Sequence, residues 1–205
     1  MKITPRRSPL VSPQQHLAKV DPVMRRLIRR IEIPRLPNRP NSFHTLVETI
    51  VSQQLSGRVA QVIFDRIVKA AQVSTLTPAA IDVMSDSQLM ACGLSKAKLK
   101  YIRDLSNKVR ANQLPFRRFR GMTDDEIIAS LTQVKGIGRW TAEMHLMFVL
   151  HRPDVFSAGD LGIRTALAHL YGITDHKIDL DQFAERWRPH RTTACLYLWR
   201  SLSDE

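Results

Sequence analysis

The chain has 205 residues, enough for one large or two small domains with a sizeable core. Its 31 Lys+Arg against 19 Asp+Glu leave a formal charge of +12. Such an excess draws a polyanion at long range, nucleic acid or an anionic membrane surface, with a merely basic soluble protein as the plain alternative. No run of about 18 apolar residues is present, so no segment is expected to span a bilayer. The first residues lack the apolar stretch of a secretory signal, and the expectation is an intracellular protein. Cys92 and Cys195 stand alone. Neither a disulfide framework nor a zinc or iron–sulfur site is expected, and both read as small core residues in a reducing compartment.

In chain order, residues 1–13 read as a loose basic tail, and Asp21–Ile31 as a basic amphipathic helix. The Pro-rich stretch 33–41 reads as a linker. Phe43, Leu46, Val47, Ile50 and Val51 recur at helical spacing, and Val59, Val62, Ile63 and Ile67 continue the pattern after Gly57. Two helices broken at that glycine are predicted. Thr77-Pro78 reads as an N-cap with proline in the first turn, Leu99, Ile102 and Leu105 mark a further helix, and Thr123 to Glu126 has capping-box spacing. No alternating run is long enough for a paired strand, so the predicted fold is all-α.

Gly136-Ile137-Gly138 separates the apolar helix ending near Leu131 and Val134 from one starting near Arg139. Two glycines permit a tight turn with positive φ, and the new helix start leaves backbone N–H groups without partners. Such groups hold a phosphate, helped by the helix dipole and by charge at Lys135 and Arg139. An ordinary turn between helices has the same tripeptide. Twenty residues after Trp140, Asp160 precedes another helix, Leu161–Leu170, where aspartate is also favoured simply as an N-cap.

The string Val134-Lys135-Gly136-Ile137-Gly138-Arg139-Trp140-Thr141-Ala142, followed by Asp154-Val155-Phe156, Gly159-Asp160-Leu161-Gly162 and Glu185-Arg186-Trp187-Arg188-Pro189-His190-Arg191, resembles the helix–hairpin–helix (HhH-GPD) DNA glycosylases. Within them it is most similar to the 3-methyladenine DNA glycosylase II group, which removes alkylated purines. The resemblance runs from about His16 to Leu202 and takes in Ile50 to Ser56. It implies a two-lobed helical fold with the active site in the cleft between the lobes. The expected organisation is a tail at 1–13, an N-terminal helix and linker at 14–42 packing on the C-terminal lobe, a helical lobe at 43–131, the hairpin at 132–150 and a C-terminal lobe at 151–205.

By the same resemblance Asp160 is the catalytic carboxylate, stabilising positive charge on the sugar as the bond to the base breaks. Gln53, Gln54 or Leu55 fills the gap left by the flipped base, with Gln54 and Leu55 favoured. Lys135, Gly136, Ile137, Gly138, Arg139, Thr141 and Arg164 are expected at DNA. Phe43, Trp140, Trp187 and His190 are expected near the substrate pocket. Trp140 also reads as a core aromatic beneath the hairpin, and His190 as an exposed residue before Arg191. Strand-cutting relatives carry a lysine at the position of Trp140, whose amine forms a Schiff base, so base removal alone is implied here. No cofactor is required, although the family can hold a monovalent cation on backbone carbonyls, here those of Thr132, Val134 and Ile137. The expected partner is damaged duplex DNA, met by a monomer without membrane attachment. The alternatives are a silent DNA-binding module and a glycosylase for oxidised or deaminated bases.

Overall fold

The computed structural model describes residues 11–175 and 177–203, so the expected tail lies outside the described residues as far as residue 10. Ser12 and Pro13 are not part of a loose tail: they open a helix, α1 (Pro13–Val20), in which Ser12 and Gln15 form a reciprocal capping box. Asp21 then ends α1 and caps α2 (Pro22–Arg30), accepting the N–H groups of Val23 and Met24 at 2.8 and 3.1 Å. Further helices follow: α3 (Phe43–Ser52), α4 (Gly57–Ala70), α5 (Pro78–Asp82), α6 (Asp86–Ala91), α7 (Lys96–Arg110), α8 (Asp124–Leu131), α9 (Arg139–Phe148), α10 (Leu161–Tyr171), α11 (Leu180–Ala184) and α12 (Arg191–Ser201). The described residues contain no strand. No helix among them is long and apolar enough to cross a membrane.

The chain divides into two compact units, Met1–Leu36 with His151–Glu205, and Pro37–Leu150. It passes from the first to the second within the Pro-rich stretch.

In the unit Pro37–Leu150, α3 buries Phe43, Leu46, Val47, Ile50 and Val51, the stripe its spacing predicts. It packs on α4 and α7. Each such aliphatic residue contributes roughly 1.5–3 kcal/mol when fully buried. The α4 face differs from expectation. Ala60, Phe64 and Ile67 point inward, whereas Val59 and Val62 are exposed. Apolar residues lie on both sides of this helix, and the small Ala60 belongs to the side that is buried against the rest of the unit. Nor is Gly57 the break between the helices: it is the first residue of α4, and the chain turns at Gln53 to Ser56, with Gln54 at φ +56°. Inside this unit the His145 imidazole shares a 2.9 Å hydrogen bond with the Asn41 side-chain oxygen. Burial, then the Arg39 charge, pushes its pKa down to about 4.

The other unit is organised around Trp187, which is fully buried against Phe156, Tyr171 and Phe183. Its indole N–H donates to Asp21 Oδ2 at 2.9 Å, and the Tyr171 hydroxyl donates to the same oxygen at 3.0 Å. One buried carboxylate thereby ties the α1–α2 corner to α10 and to the short 3-10 turn Glu185–Trp187. Burial first, and Asp21 second, raise the Tyr171 pKa far above its ordinary value. Arg188 and Arg191 both close on the Asp154 carboxylate, at 3.0 and 2.9 Å, and lock the segment before Asp160 to the start of α12.

Candidate active site

Asp160 ends a turn in which its N–H donates to the Ser157 carbonyl at 3.0 Å, and it caps α10. Oδ1 accepts the Ile163 N–H at 2.8 Å and the Trp199 indole N–H at 2.8 Å. Two donors on one oxygen fix the plane of the carboxylate. The residue is 9% exposed and sits at the N-terminal, positive end of the α10 dipole. Acting as an N-cap therefore does not compete with acting as a charged group toward a ligand. Arg164 lies one turn further along α10 on its exposed side.

In the unit Pro37–Leu150, α8 and α9 flank the turn 132–138. Gly136 takes φ +81°, and a Cβ there would lie 2.2 Å from a Tyr101 ring carbon. Glycine is demanded by both backbone and space. Of the two glycines, Gly136 alone supplies the positive φ of the tight turn, and Gly138 has a different part. It sits at φ −88°, ψ 176°, as N-cap of α9 with no side chain capping the helix. A Cβ on Gly138 would meet nothing within 4 Å. The bare face there leaves first-turn N–H groups directed at whatever approaches.

The loop after α3 is tied to this turn. The Gln53 side-chain amide donates to the Gly136 carbonyl at 2.8 Å, and Lys98 Nζ donates to the Val51 and Gln53 carbonyls at 2.7 Å each. Burial lowers the Lys98 pKa from its ordinary value. Asp104 accepts the Lys135 N–H at 2.9 Å. Lys98, Tyr101 and Asp104 recur every three residues along α7, so one helix face braces both loop and hairpin. Gln54 and Leu55 form the exposed tip. A groove of about 750 Å³ runs beside them, lined by Thr49, Gln53, Tyr101, Gly136, Trp140 and Met144 among others.

A family profile described as HhH-GPD superfamily base excision DNA repair protein matches residues 47–189. The chain belongs to the HhH-GPD superfamily. DNA-3-methyladenine glycosylase 1 of Schizosaccharomyces pombe is 32% identical over 200 residues, which cover 94% of this chain and 87% of that protein. Among solved structures, a DNA-3-methyladenine glycosidase from Bacillus halodurans aligns with a TM-score of 0.84 and 36% identity, over 95% of this chain and 92% of its own. The S. pombe 3-methyladenine DNA glycosylase Mag1, solved in complex with abasic DNA, aligns with a TM-score of 0.77 and 31% identity, over 93% and 96%.

As an HhH-GPD protein, the chain holds the candidate residues in unequal positions. Gly136, Gly138, Lys135 and Arg139 do form the hairpin, but Arg139 is paired with Glu143 at 2.9 Å. Ile137 and Thr141 are buried, which confines them to backbone contacts with a ligand. Gln53 is committed to Gly136, leaving Gln54 and Leu55 as the residues that project. Two pocket expectations are corrected. Phe43 is core of α3, and Trp187 is fully buried with its indole N–H on Asp21, so neither ring presents a face to a base. Trp140 is 49% exposed and lines the groove, which rules out the core position beneath the hairpin. His190 is not exposed either: it is half-buried, edge-on to His16 with centroids 5.2 Å apart. Its pKa is lowered by burial and then by His16, with Asp154 opposing. Glu48 pairs with Arg39.

Lys98, Tyr101 and Asp104 were not singled out by sequence as partners of the site, and Trp199 stood out there only as one more aromatic residue suited to stacking on a base. Their contacts bridge 31 to 47 residues of chain in the case of Lys98, Asp104 and Trp199. Only the three-residue spacing on α7 carried a local signal, and it was masked by the apolar stripe Leu99, Ile102 and Leu105.

Proposed function

We propose that this HhH-GPD protein is a monofunctional DNA glycosylase that hydrolyses the bond between deoxyribose and an alkylated purine in duplex DNA. The observation that carries the reading is Asp160, a carboxyl group held by two donors at a helix N-terminus in a chain of this family. The names of the relatives supply the substrate class.

In this reading the N–H groups around Gly138 take one backbone phosphate and carry no sequence information. Gln54 and Leu55 enter the stack as the damaged nucleotide leaves it, at a cost of a few kcal/mol that is lowest for damaged bases. The C1′–N bond then breaks, and its electron pair passes to the base and cancels the positive charge of an N-alkylated purine. Asp160 stabilises the cationic sugar. Water bonds C1′, its proton passes to the carboxylate and on to solvent, and an abasic site remains. Trp140 offers no amine for a Schiff base, so the strand stays intact. The chain acts as a monomer and the chemistry calls on no cofactor. A monovalent cation at the hairpin would use the carbonyls of Thr132, Val134 and Ile137. The Val134 carbonyl accepts the Ile137 N–H at 3.0 Å and keeps one lone pair for such an ion.

A panel of duplexes, each with one lesion, tests the assignment by abasic-site formation. Release of 3-methyladenine and 7-methylguanine without release of 8-oxoguanine or uracil is expected. The reverse pattern would move the substrate class to oxidised or deaminated bases, and no release from any duplex would leave a binding module.

A further inference from the structure

The indole N–H of Trp199 reaches Asp160 Oδ1 from a different helix, α12, across 39 residues of chain. The other donor on that oxygen, the Ile163 N–H, is what any N-cap aspartate receives. It ties the carboxylate to its own helix only. The indole ties it to a second helix of the unit, α12, which packs on α10.

A second observation concerns Gly162, between these groups. Its backbone is helical and needs no left-handed φ, and glycine inside a helix is a poorer choice than alanine. Yet a Cβ there would lie 3.0 Å from Trp199 Cδ1, 3.3 Å from Trp199 Nε1 and 3.1 Å from Asp160 Oδ1. A methyl group would press on both, so that the indole edge and the carboxylate would have to give by a few tenths of an ångström. What glycine supplies at this place is room for the indole to come close.

We propose that Trp199 is a positioning residue for the Asp160 carboxylate and that Gly162 is the space that lets it act. The proposal rests on the reading of Asp160 as the group that meets the sugar. A charge-assisted hydrogen bond holds the anion in one plane, so that its charge lies where positive charge develops in the transition state. Loss of that bond acts on the chemical step and on binding of a cationic sugar mimic, and leaves ground-state affinity for DNA alone.

Single-turnover base release from a 7-methylguanine duplex is measured together with affinity for two product-like duplexes, one with a neutral tetrahydrofuran sugar and one with a cationic pyrrolidine. For Trp199→Phe we expect release to slow by about tenfold to a hundredfold. Its preference for pyrrolidine over tetrahydrofuran shrinks by a comparable factor, with tetrahydrofuran affinity and Tm near wild type. Gly162→Ala moves rate and preference the same way while Tm holds or rises, a combination that a packing role would not produce. This second variant carries the test alone if Trp199→Phe does not fold. Wild-type rate and preference in the variants, with Asp160→Asn inactive, would overturn the positioning role and leave Asp160 standing. Parallel losses of rate, tetrahydrofuran affinity and Tm would reduce Trp199 to packing. Wild-type release by Asp160→Asn would instead remove the reading on which the proposal rests.

Discussion

Replacing each hairpin glycine with alanine separates what the turn does for the fold from what it does for a ligand. At Gly136 the new residue must hold φ +81°, which costs an L-residue about 1–2 kcal/mol. Its Cβ would also sit 2.2 Å from the Tyr101 ring, and forcing that ring aside adds about 1–3 kcal/mol, as overpacking does. Gly136→Ala is therefore expected to destabilise the protein by about 2–5 kcal/mol, seen as a lower urea midpoint with unchanged slope. Gly138 has φ −88° and no atom within 4 Å of a built Cβ, so Gly138→Ala should cost less than about 1 kcal/mol. The added methyl nevertheless stands on the bare face where, in the proposed reading, a phosphate approaches the backbone. Affinity for an abasic-site duplex, measured by fluorescence anisotropy, should fall by about tenfold or more in Gly138→Ala. Full affinity in that variant would refute phosphate binding at the hairpin, and full stability in Gly136→Ala would refute the account of the turn.

Two further outcomes are expected. His145 titrates near 4 in the folded protein against an ordinary 6.5, so the unfolded chain binds the extra proton first as pH falls. Its stabilising contribution is complete above pH 6.5 and is lost progressively toward pH 4, by about 3 kcal/mol in total. Urea midpoints at pH 7 and pH 4.5 should show the loss in the wild type and a flatter dependence in His145→Gln, and equal dependences would contradict it. On the proposed monofunctional reading, borohydride added during base release should trap no covalent protein–DNA adduct, because the Trp140 indole offers no amine for a Schiff base. A trapped adduct would place the chain with the strand-cutting branch.

Much of the fold was legible because helix signals are local. The α3 stripe from Phe43 to Val51, the Thr77 and Thr123 caps and the helix behind Asp160 all follow from spacing and capping chemistry within a few residues. Of the helices that escaped, α1, α6 and α11 run eight residues or fewer, too short for periodicity to register, and α12 buries Thr192 and Ser201 among its apolar residues, which blurs any stripe. The caps of the three short helices, at Ser12, Ser85 and Asp179, were nevertheless present in the sequence. On α4 two apolar faces competed, and packing chose the one carrying Ala60. The site was legible where one segment carries it, as at Gly136 and Asp160. It was not legible where distant segments meet, since nothing near Trp199 marks it as a partner of Asp160, and nothing near Gln53 points to a carbonyl 83 residues away. Aromatic character alone misled at Trp187, whose environment is decided by Asp21 at the other end of the chain.

The most direct measurement is single-turnover release of 7-methylguanine by Asp160→Asn. Asparagine keeps an oxygen for the Ile163 and Trp199 donors and remains a good N-cap, so charge is removed while the local structure is retained. The account predicts a fall of about a hundredfold to a thousandfold in the release rate, with Tm and affinity for an abasic-site duplex near wild type. Release at the wild-type rate would contradict it.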